Sequence, residues 1–348
     1  MSFYIVTTTK FYRECVDYLT YGASQSNWLC NIDVGDTIFL SQFSYKSQDL
    51  FGPFRVIKRL FYDKSIIYPG QKYFYRIRFE PIGQIKSIEE TDLYLYGIES
   101  NNIDLYFKII NLIQQNKHLH CICLTNDEGK AILDVFQSGG SRYDACYKIK
   151  EVNNLANVDC HYIWVKNKLN RNTQFSSESD METYIIISLK NANNKEFEYV
   201  RNLLEKYSAN NLINSKIYNQ FIFGNAYPAD IVITNESNIN VFELKKDHLT
   251  LSQIPQIEKE MKKHLFYSLF SNRLQQTDTN RFNFYLVTLQ GKDNTPFRPI
   301  IEDKYWNLCE NISTHRENTI TFVEYIVNDN GLSFKVTPQW CMPVFSDS

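Results

Sequence analysis

YPADIVITNESNINVFELKK, residues 227–246, is the stretch on which the reading of this chain turns. Asp230 opens a run of strand formers, NESNIN supplies a polar turn, and NVFELK forms a second run. Side chains alternate along a strand, so Glu243 and Lys245 share one face while Phe242 and Leu244 point to the other, apolar side. Antiparallel pairing across the turn brings Asp230 close to them. Two carboxylates and a backbone carbonyl make a hard-oxygen site suited to Mg²⁺ or Mn²⁺. A neighbouring ammonium can orient a water or stabilise the charge that builds at a scissile phosphate. An ion pair between strand residues beside a turn is the plainer reading of the same letters.

Working outward, periodicity predicts a strand at TYIIISL (183–189) and a helix over 195–208 with Phe197, Val200, Leu204 and Tyr207 on one face. Strands follow at SKIYNQFIF, ADIVIT and NVFELK. A long helix over about 252–268 comes next, with Ile254, Ile257, Met261 and Leu265 on its apolar face, and then a strand at FNFYLVTL. With Ser252 as N-cap, Pro255 falls in the first turn, where its missing N–H costs nothing.

Pro228, Asp230 and the run Glu243-Leu244-Lys245, with Ala229 inserted, resemble the PD-(D/E)xK nuclease superfamily. The likeness covers about residues 190–290, because the order of helices and strands matches as well. It implies a restriction-endonuclease-like α/β domain in which Asp230, Glu243 and the Leu244 carbonyl hold the metal and Lys245 assists the attacking water. It also implies a further carboxylate from the first helix, for which Glu196 and Glu205 are candidates. Gln253 and Gln256 match a glutamine that some subfamilies carry on the helix after the lysine. An ordinary polar helix face explains those residues equally well.

The N-terminal part reads as strand SFYIVTT, helix FYRECVDYLTYG ended by Gly22, and strands DTIFLSQF, GPFRVIKRLF and KYFYRIRFEPI. A helix with Ile103, Phe107, Ile110 and Ile113 on one face follows, then strand HLHCICL and a helix opened by a Thr125/Glu128 capping box. Between Arg55 and Lys86, eight basic residues face two acidic ones and are interleaved with Phe61, Tyr62, Tyr68, Tyr73, Phe74, Tyr75 and Phe79. Such a strip suits phosphates and stacked bases, although a β-hairpin with buried rings and solvated lysines gives the same pattern. The strings FYIVTTTKFYRECVDYLTYGASQSNW, VGDTIFL and LFGPFRV look like the PUA-like folds of the EVE and YTH groups. That resemblance implies a mixed β-barrel with a pocket for a base. Ser26, Asn27 and Trp28 would form the pocket, Phe43, Tyr45 or Phe51 would be further walls, and Arg55, Lys58 and Arg59 would hold phosphates.

The remaining bounds are broad. At 348 residues, with 43% hydrophobic and 22% charged residues, the chain is long enough for two or three folded domains. Loop-rich SGGS, NNLANVD and NRNTQFSSESD place a linker at 141–180, between a base-recognition domain at 1–140 and a nuclease domain at 181–348. No apolar run is long enough for a membrane helix, and the first residues lack a signal-peptide pattern, which points to the cytoplasm. The eight cysteines are scattered as reduced thiols, and HxHCxC at 118–123 lacks the second ligand pair of a zinc site. A net charge of −2 rules out a globally basic nucleic-acid binder. The combined expectation is a Mg²⁺-dependent restriction-type endonuclease acting on double-stranded DNA, with base modification as a requirement the first domain could read. Cutting both strands with one site per chain calls for a homodimer. A NucS-like repair nuclease and an RNA-processing protein remain alternatives.

Overall fold

A computed structural model describes residues 1–43, 48–145, 147–148, 174–190, 215–224, 227–235, 238–270, 273–274, 281–310, 317–328, 331–336 and 340–341. The chain divides into two compact units, Met1–Tyr162 and Ile163–Ser348. Their boundary falls inside the stretch read as a linker. No helix among the described residues is long and apolar enough to cross a membrane.

In the first unit the elements are β1 (Phe3–Thr8), α1 (Tyr12–Asp17), β2 (Thr20–Ala23), β3 (Thr37–Phe43), β4 (Gln48–Tyr62) and β5 (Tyr75–Glu89). They continue with α2 (Glu90–Glu99), α3 (Ile103–Gln115), β6 (Cys121–Leu124), α4 (Asn126–Ser138) and β7 (Ser141–Arg142). The sheet runs β2-β5-β4-β3-β1-β6, with β7 on β5. Among the described strands of this unit, only β1 and β3 pair in parallel. The two long strands slip register at three places between Gly52 and Phe61. Each slip adds twist and bends the strands, so the sheet is curved rather than flat.

Two local expectations change here and a third is met. The helix after β1 stops at Asp17, Leu19 takes φ +46°, and Gly22 sits inside strand β2 rather than at a helix end. A Cβ on Gly22 would come within 2.8 Å of the Tyr68 ring and 2.9 Å of the Tyr73 carbonyl, so the glycine admits those residues. The buried face of α3 is Tyr106, Ile109, Ile110, Leu112 and Ile113, while Ile103 and Phe107 are exposed. The Thr125/Glu128 capping box forms as read, with the Glu128 N–H donating to Thr125 Oγ1 at 3.3 Å.

The second unit contains α5 (Glu178–Lys190), β8 (Lys216–Phe221), β9 (Ala229–Thr234), β10 (Asn238–Leu244), α6 (Ile254–Phe270) and β11 (Arg281–Leu289). It ends with α7 (Arg298–Glu310), β12 (Glu317–Asn328), β13 (Gly331–Val336) and β14 (Trp340–Cys341). The sheet order is β13-β12-β11-β10-β9-β8, with β14 on β12. β10, β11 and β12 are parallel, and α6 and α7 are the crossovers that parallel neighbours require. β8, β9 and β10 form an antiparallel meander.

TYIIISL is not a strand. It lies in α5, where every residue from Asp180 to Leu189 is buried. A helix covered on all sides shows no polar stripe, so its β-branched run imitates a buried strand. The start signal was nonetheless present, because Ser177 Oγ accepts the Asp180 N–H at 3.1 Å. The helix expected over 195–208, with Glu196 and Glu205, lies outside the described residues. The face Ile254, Ile257, Met261 and Leu265 is buried as read. Its cap is Thr250 rather than Ser252, reached through a 3₁₀ turn at Leu251–Gln253.

Candidate functional site

Strand pairing places β9 beside β10, with Phe242 opposite Ile231. One step further along, the Leu244 N–H donates to Asp230 Oδ2 at 2.8 Å. Lys245 Nζ donates to Glu243 Oε1 at 2.6 Å, and both side chains are buried. Phe242 turns to the other face and stacks on Tyr285, with ring centroids 4.4 Å apart. These groups sit at the C-terminal end of β10, where α/β sheets open crevices for ligands. The backbone is held there because the Lys245 N–H donates to Val287 O at 2.8 Å and the Leu249 N–H to Asn294 Oδ1 at 2.8 Å.

Helix α6 adds groups that the sequence reading did not single out. Glu260 Oε2 lies 3.5 Å from Lys245 Nζ, and His264 Nε2 lies 3.8 Å from Glu243 Oε2. Gln256 Nε2 donates to Glu260 Oε1 at 2.7 Å, so Gln256 reaches the lysine only through Glu260. Gln253 serves as a cap, its Oε1 accepting the Thr250 N–H at 2.9 Å. Helix α5 contributes a further carboxylate, Glu182, buried and accepting from Gln220 Nε2 at 2.8 Å and Asn219 Nδ2 at 3.3 Å. The same Gln220 amide lies 3.3 Å from Asp230 Oδ1, linking the two acids. Gln220 is held at φ +48° within β8, an unusual backbone for a non-glycine residue, which marks it as a special position.

The charges are unevenly matched. Burial, followed by the negative charges of Glu243 and Glu182, pushes Asp230 well above the ordinary carboxylate range. Burial would also raise Glu243, but Lys245 and His264 outweigh it and hold the group at about 2. Burial and then Glu243 push Glu260 up to about 8. Lys245 is lowered by burial and raised by more through Glu243, Glu260 and Asp230. Several desolvated carboxyls therefore compete for the ammonium of Lys245, an arrangement that a divalent cation would relieve. Among the described residues no three acidic, His or Cys side chains converge as a ready metal cage. Asp230, Glu243 and the Leu244 carbonyl fit Mg²⁺ nonetheless, since that ion is commonly held by one or two carboxylates with water filling the rest.

The first unit holds a pocket of about 190 Å³. An apolar cavity of roughly 150 Å³ already takes up a benzene ring. Its walls include Phe11, Tyr68, Tyr73 and His120, with Thr7 and Lys117 also in the lining. Phe11, Tyr68 and Tyr73 meet edge to face at 5.6–6.2 Å, and Tyr73 packs on His120 at 5.7 Å. Tyr21 O–H donates to the Thr7 and His120 carbonyls at 2.7 and 2.8 Å, tying the walls together. Burial lowers the His120 pKa, so at neutral pH the ring carries one donor and one acceptor nitrogen. The Thr7 hydroxyl is buried in this lining without a hydrogen-bond partner among the described residues.

Trp28 stands behind this wall, its ring 5.9 Å from His120. Ser26 and Asn27 are buried and do not line the cavity. Phe51 instead stacks on Tyr12 at 5.2 Å and meets Tyr143 at 5.1 Å. Tyr45 and the Phe43 side chain lie outside the described residues. Of the basic strip, Arg55 and Arg59 are exposed, Arg55 lying 3.8 Å from Glu80, and Lys58 covers the Phe61 ring. Two members are structural. Arg76 is buried against Asp63, and Lys86 Nζ donates to the Phe136 and Gly139 carbonyls that end α4. Tyr68 and Tyr73 belonged to the aromatic interleaving, and His120 to the HxHCxC run, but their common destination was not readable there.

No protein-family model matches this sequence, and no curated protein matches it. Among solved structures, the human THYN1 protein in complex with DNA containing 5-methylcytosine is 14% identical, with a TM-score of 0.30, covering 39% of this chain and 97% of that one. A protein from Pseudomonas putida is 13% identical, with a TM-score of 0.27 over 38% of this chain and 99% of that one. The DUF55 domain of human thymocyte nuclear protein 1 is 13% identical, with a TM-score of 0.29 over 38% and 98%.

Proposed function

We propose that this protein is a Mg²⁺-dependent DNA endonuclease of the restriction type, in which the second unit hydrolyses the backbone and the first accommodates an extruded, modified base. The observation that carries the cutting half is the meeting of Asp230, Glu243 and Lys245 at the end of β10, with more carboxyl groups crowded there than ammoniums to pair them. Asp230, Glu243 and the Leu244 carbonyl would hold the metal, which supplies charge neutralisation at the phosphate and a more acidic water. Lys245 is kept charged by its carboxylate neighbours and can orient that water or meet the developing negative charge. Glu182, through Gln220, fixes the Asp230 side of the site.

For the reading half, an aromatic cavity replaces the stacking that an extruded base gives up. The Thr7 hydroxyl and the His120 ring offer hydrogen bonds to its edge. Cutting both strands with one site per chain calls for a homodimer.

The test is digestion of methylated, hydroxymethylated and unmodified plasmids with Mg²⁺ or Mn²⁺. Cleavage that stops with chelator and depends on the modification supports both halves, and cleavage persisting in excess chelator overturns the metal-dependent assignment. Cutting confined to mismatched or branched duplex selects the repair alternative, and cutting of RNA in preference to DNA selects the RNA-processing one.

A further inference from the structure

Tyr227 sits on the surface immediately before Pro228 and the strand that carries Asp230. Two lysines of α6 close on it. Lys259 Nζ donates to the Tyr227 hydroxyl at 2.7 Å and lies 4.6 Å from the ring centroid, and Lys263 Nζ lies 3.2 Å from the same centroid. Lys262 is exposed on the same helix. Among the described residues no carboxylate lies within ion-pair distance of these three lysines, whereas the nearby Glu258 is paired with Lys304 at 2.5 Å. Like charges gathered on one ring repel each other. The ring face offsets only part of that repulsion, so an anion between them gains from both ammoniums. The lysines also lower the Tyr227 pKa, as expected where positive potential gathers.

We propose that Tyr227, Lys259 and Lys263 form a clamp for a backbone phosphate of the nucleic acid, beside the cleavage centre. Two residues, Pro228 and Ala229, separate Tyr227 from Asp230, so the span is at most about 10 Å. At about 3.4 Å per nucleotide along one strand, the clamp holds a phosphate one to three nucleotides from the scissile bond. Two mobile ammoniums and a phenol recognise a phosphate without reading the base, so the contact serves every sequence and sets register on the cutter. This inference rests on the nuclease reading for its position and on the lysine geometry for its chemistry.

The experiment is equilibrium binding of the full chain to one DNA duplex in chelator, across a series of salt concentrations. Each phosphate contact contributes about −0.9 to the slope of log K against log salt. The double substitution Lys259→Gln, Lys263→Gln removes that one phosphate contact and should make the slope shallower by about 1. Lys304→Gln removes an equal, already paired charge and should leave the slope within experimental error. A slope unchanged in the double variant, or shifted equally by Lys304→Gln, overturns the clamp. Mg²⁺-dependent cleavage by wild type together with that unchanged slope removes the clamp and spares the nuclease. A shallower slope in a chain that cleaves no DNA keeps the clamp and removes the nuclease.

Discussion

Among the described residues each unit buries a paired charge, and the two are built differently. In the first, Arg76 Nη1 donates to Asp63 Oδ2 at 2.7 Å, and every other arm of the guanidinium is used: Nε on the Tyr73 carbonyl, Nη1 also on Ser65 Oγ, and Nη2 on the Ser65 carbonyl. Asp63 in turn accepts the Ser65 N–H and hydroxyl at 2.8 Å. One positive and one negative charge are matched, and the long connection between β4 and β5 is pinned by them. In the second unit, Lys245 is shared between Glu243 and Glu260 with Asp230 adjacent, and Glu260 Oε2 and His264 Nε2 have no hydrogen-bond partner among the described residues. A matched pair organises a fold. An unmatched cluster, costly to keep, is the mark of a site arranged for a charge that arrives from outside.

Breaking the matched pair should be the most damaging change. Arg76→Met leaves Asp63 buried and uncompensated, at a cost of about 3–5 kcal/mol, read as a shift in the urea midpoint of the first unit. A loss below about 1 kcal/mol would place Arg76 with ordinary surface charges. In the unmatched cluster the loss should fall on function instead. Glu243→Ala should lower Mg²⁺-dependent cleavage at least a hundred- to thousandfold, roughly 3–4 kcal/mol of transition-state stabilisation. Asp230→Asn should do the same while raising the denaturation midpoint by about 1 kcal/mol, because it removes a crowded carboxylate. Wild-type cleavage by Glu243→Ala would move the site elsewhere.

Smaller effects sharpen the contrast. The pocket of the first unit works by ring faces rather than charge, so Tyr73→Ala should weaken binding to the preferred modified base by about tenfold, within the roughly 1–3 kcal/mol of one stacking contact. Trp28→Ala should cost less, since Trp28 acts through His120. A larger loss for Trp28 would put the base on the tryptophan itself. The remaining effect is a pH dependence. Glu260 is raised to about 8 in the folded protein, against an ordinary value near 4.5, so the fold favours its neutral form. Its stabilising contribution is complete below pH 4.5 and is lost as pH rises towards 8. In chelator, Tm should therefore decline across that window in wild type and decline less in Glu260→Gln. Parallel curves would show that Glu260 is already ionised at neutral pH.

The legible parts were those with a short-range signature. The capping box at Thr125, the apolar face of α6 and the alternation of β10 each follow from spacing along the chain. The helix at Glu178–Lys190 was missed because its apolar residues surround it, and with it went Glu182. The likeness carried by Asp230 and the Glu243-Leu244-Lys245 run named two side chains and a strand end. It could not name Glu182, which reaches Asp230 through Gln220.

Sequence alone determined that two strands meet at a polar turn and that Glu243 and Lys245 share a face, because a strand's period of two and a turn's composition are local facts. Only the tertiary structure decided which distant groups complete each site. Gln220 lies 10 residues before Asp230 and Glu182 a further 38 before Gln220, yet one amide joins both acids. Thr7, Tyr73 and His120 come from separate segments onto one cavity. Such meetings depend on sheet curvature, helix docking and the burial of charge, which are properties of the packed whole and leave no fixed spacing in the chain.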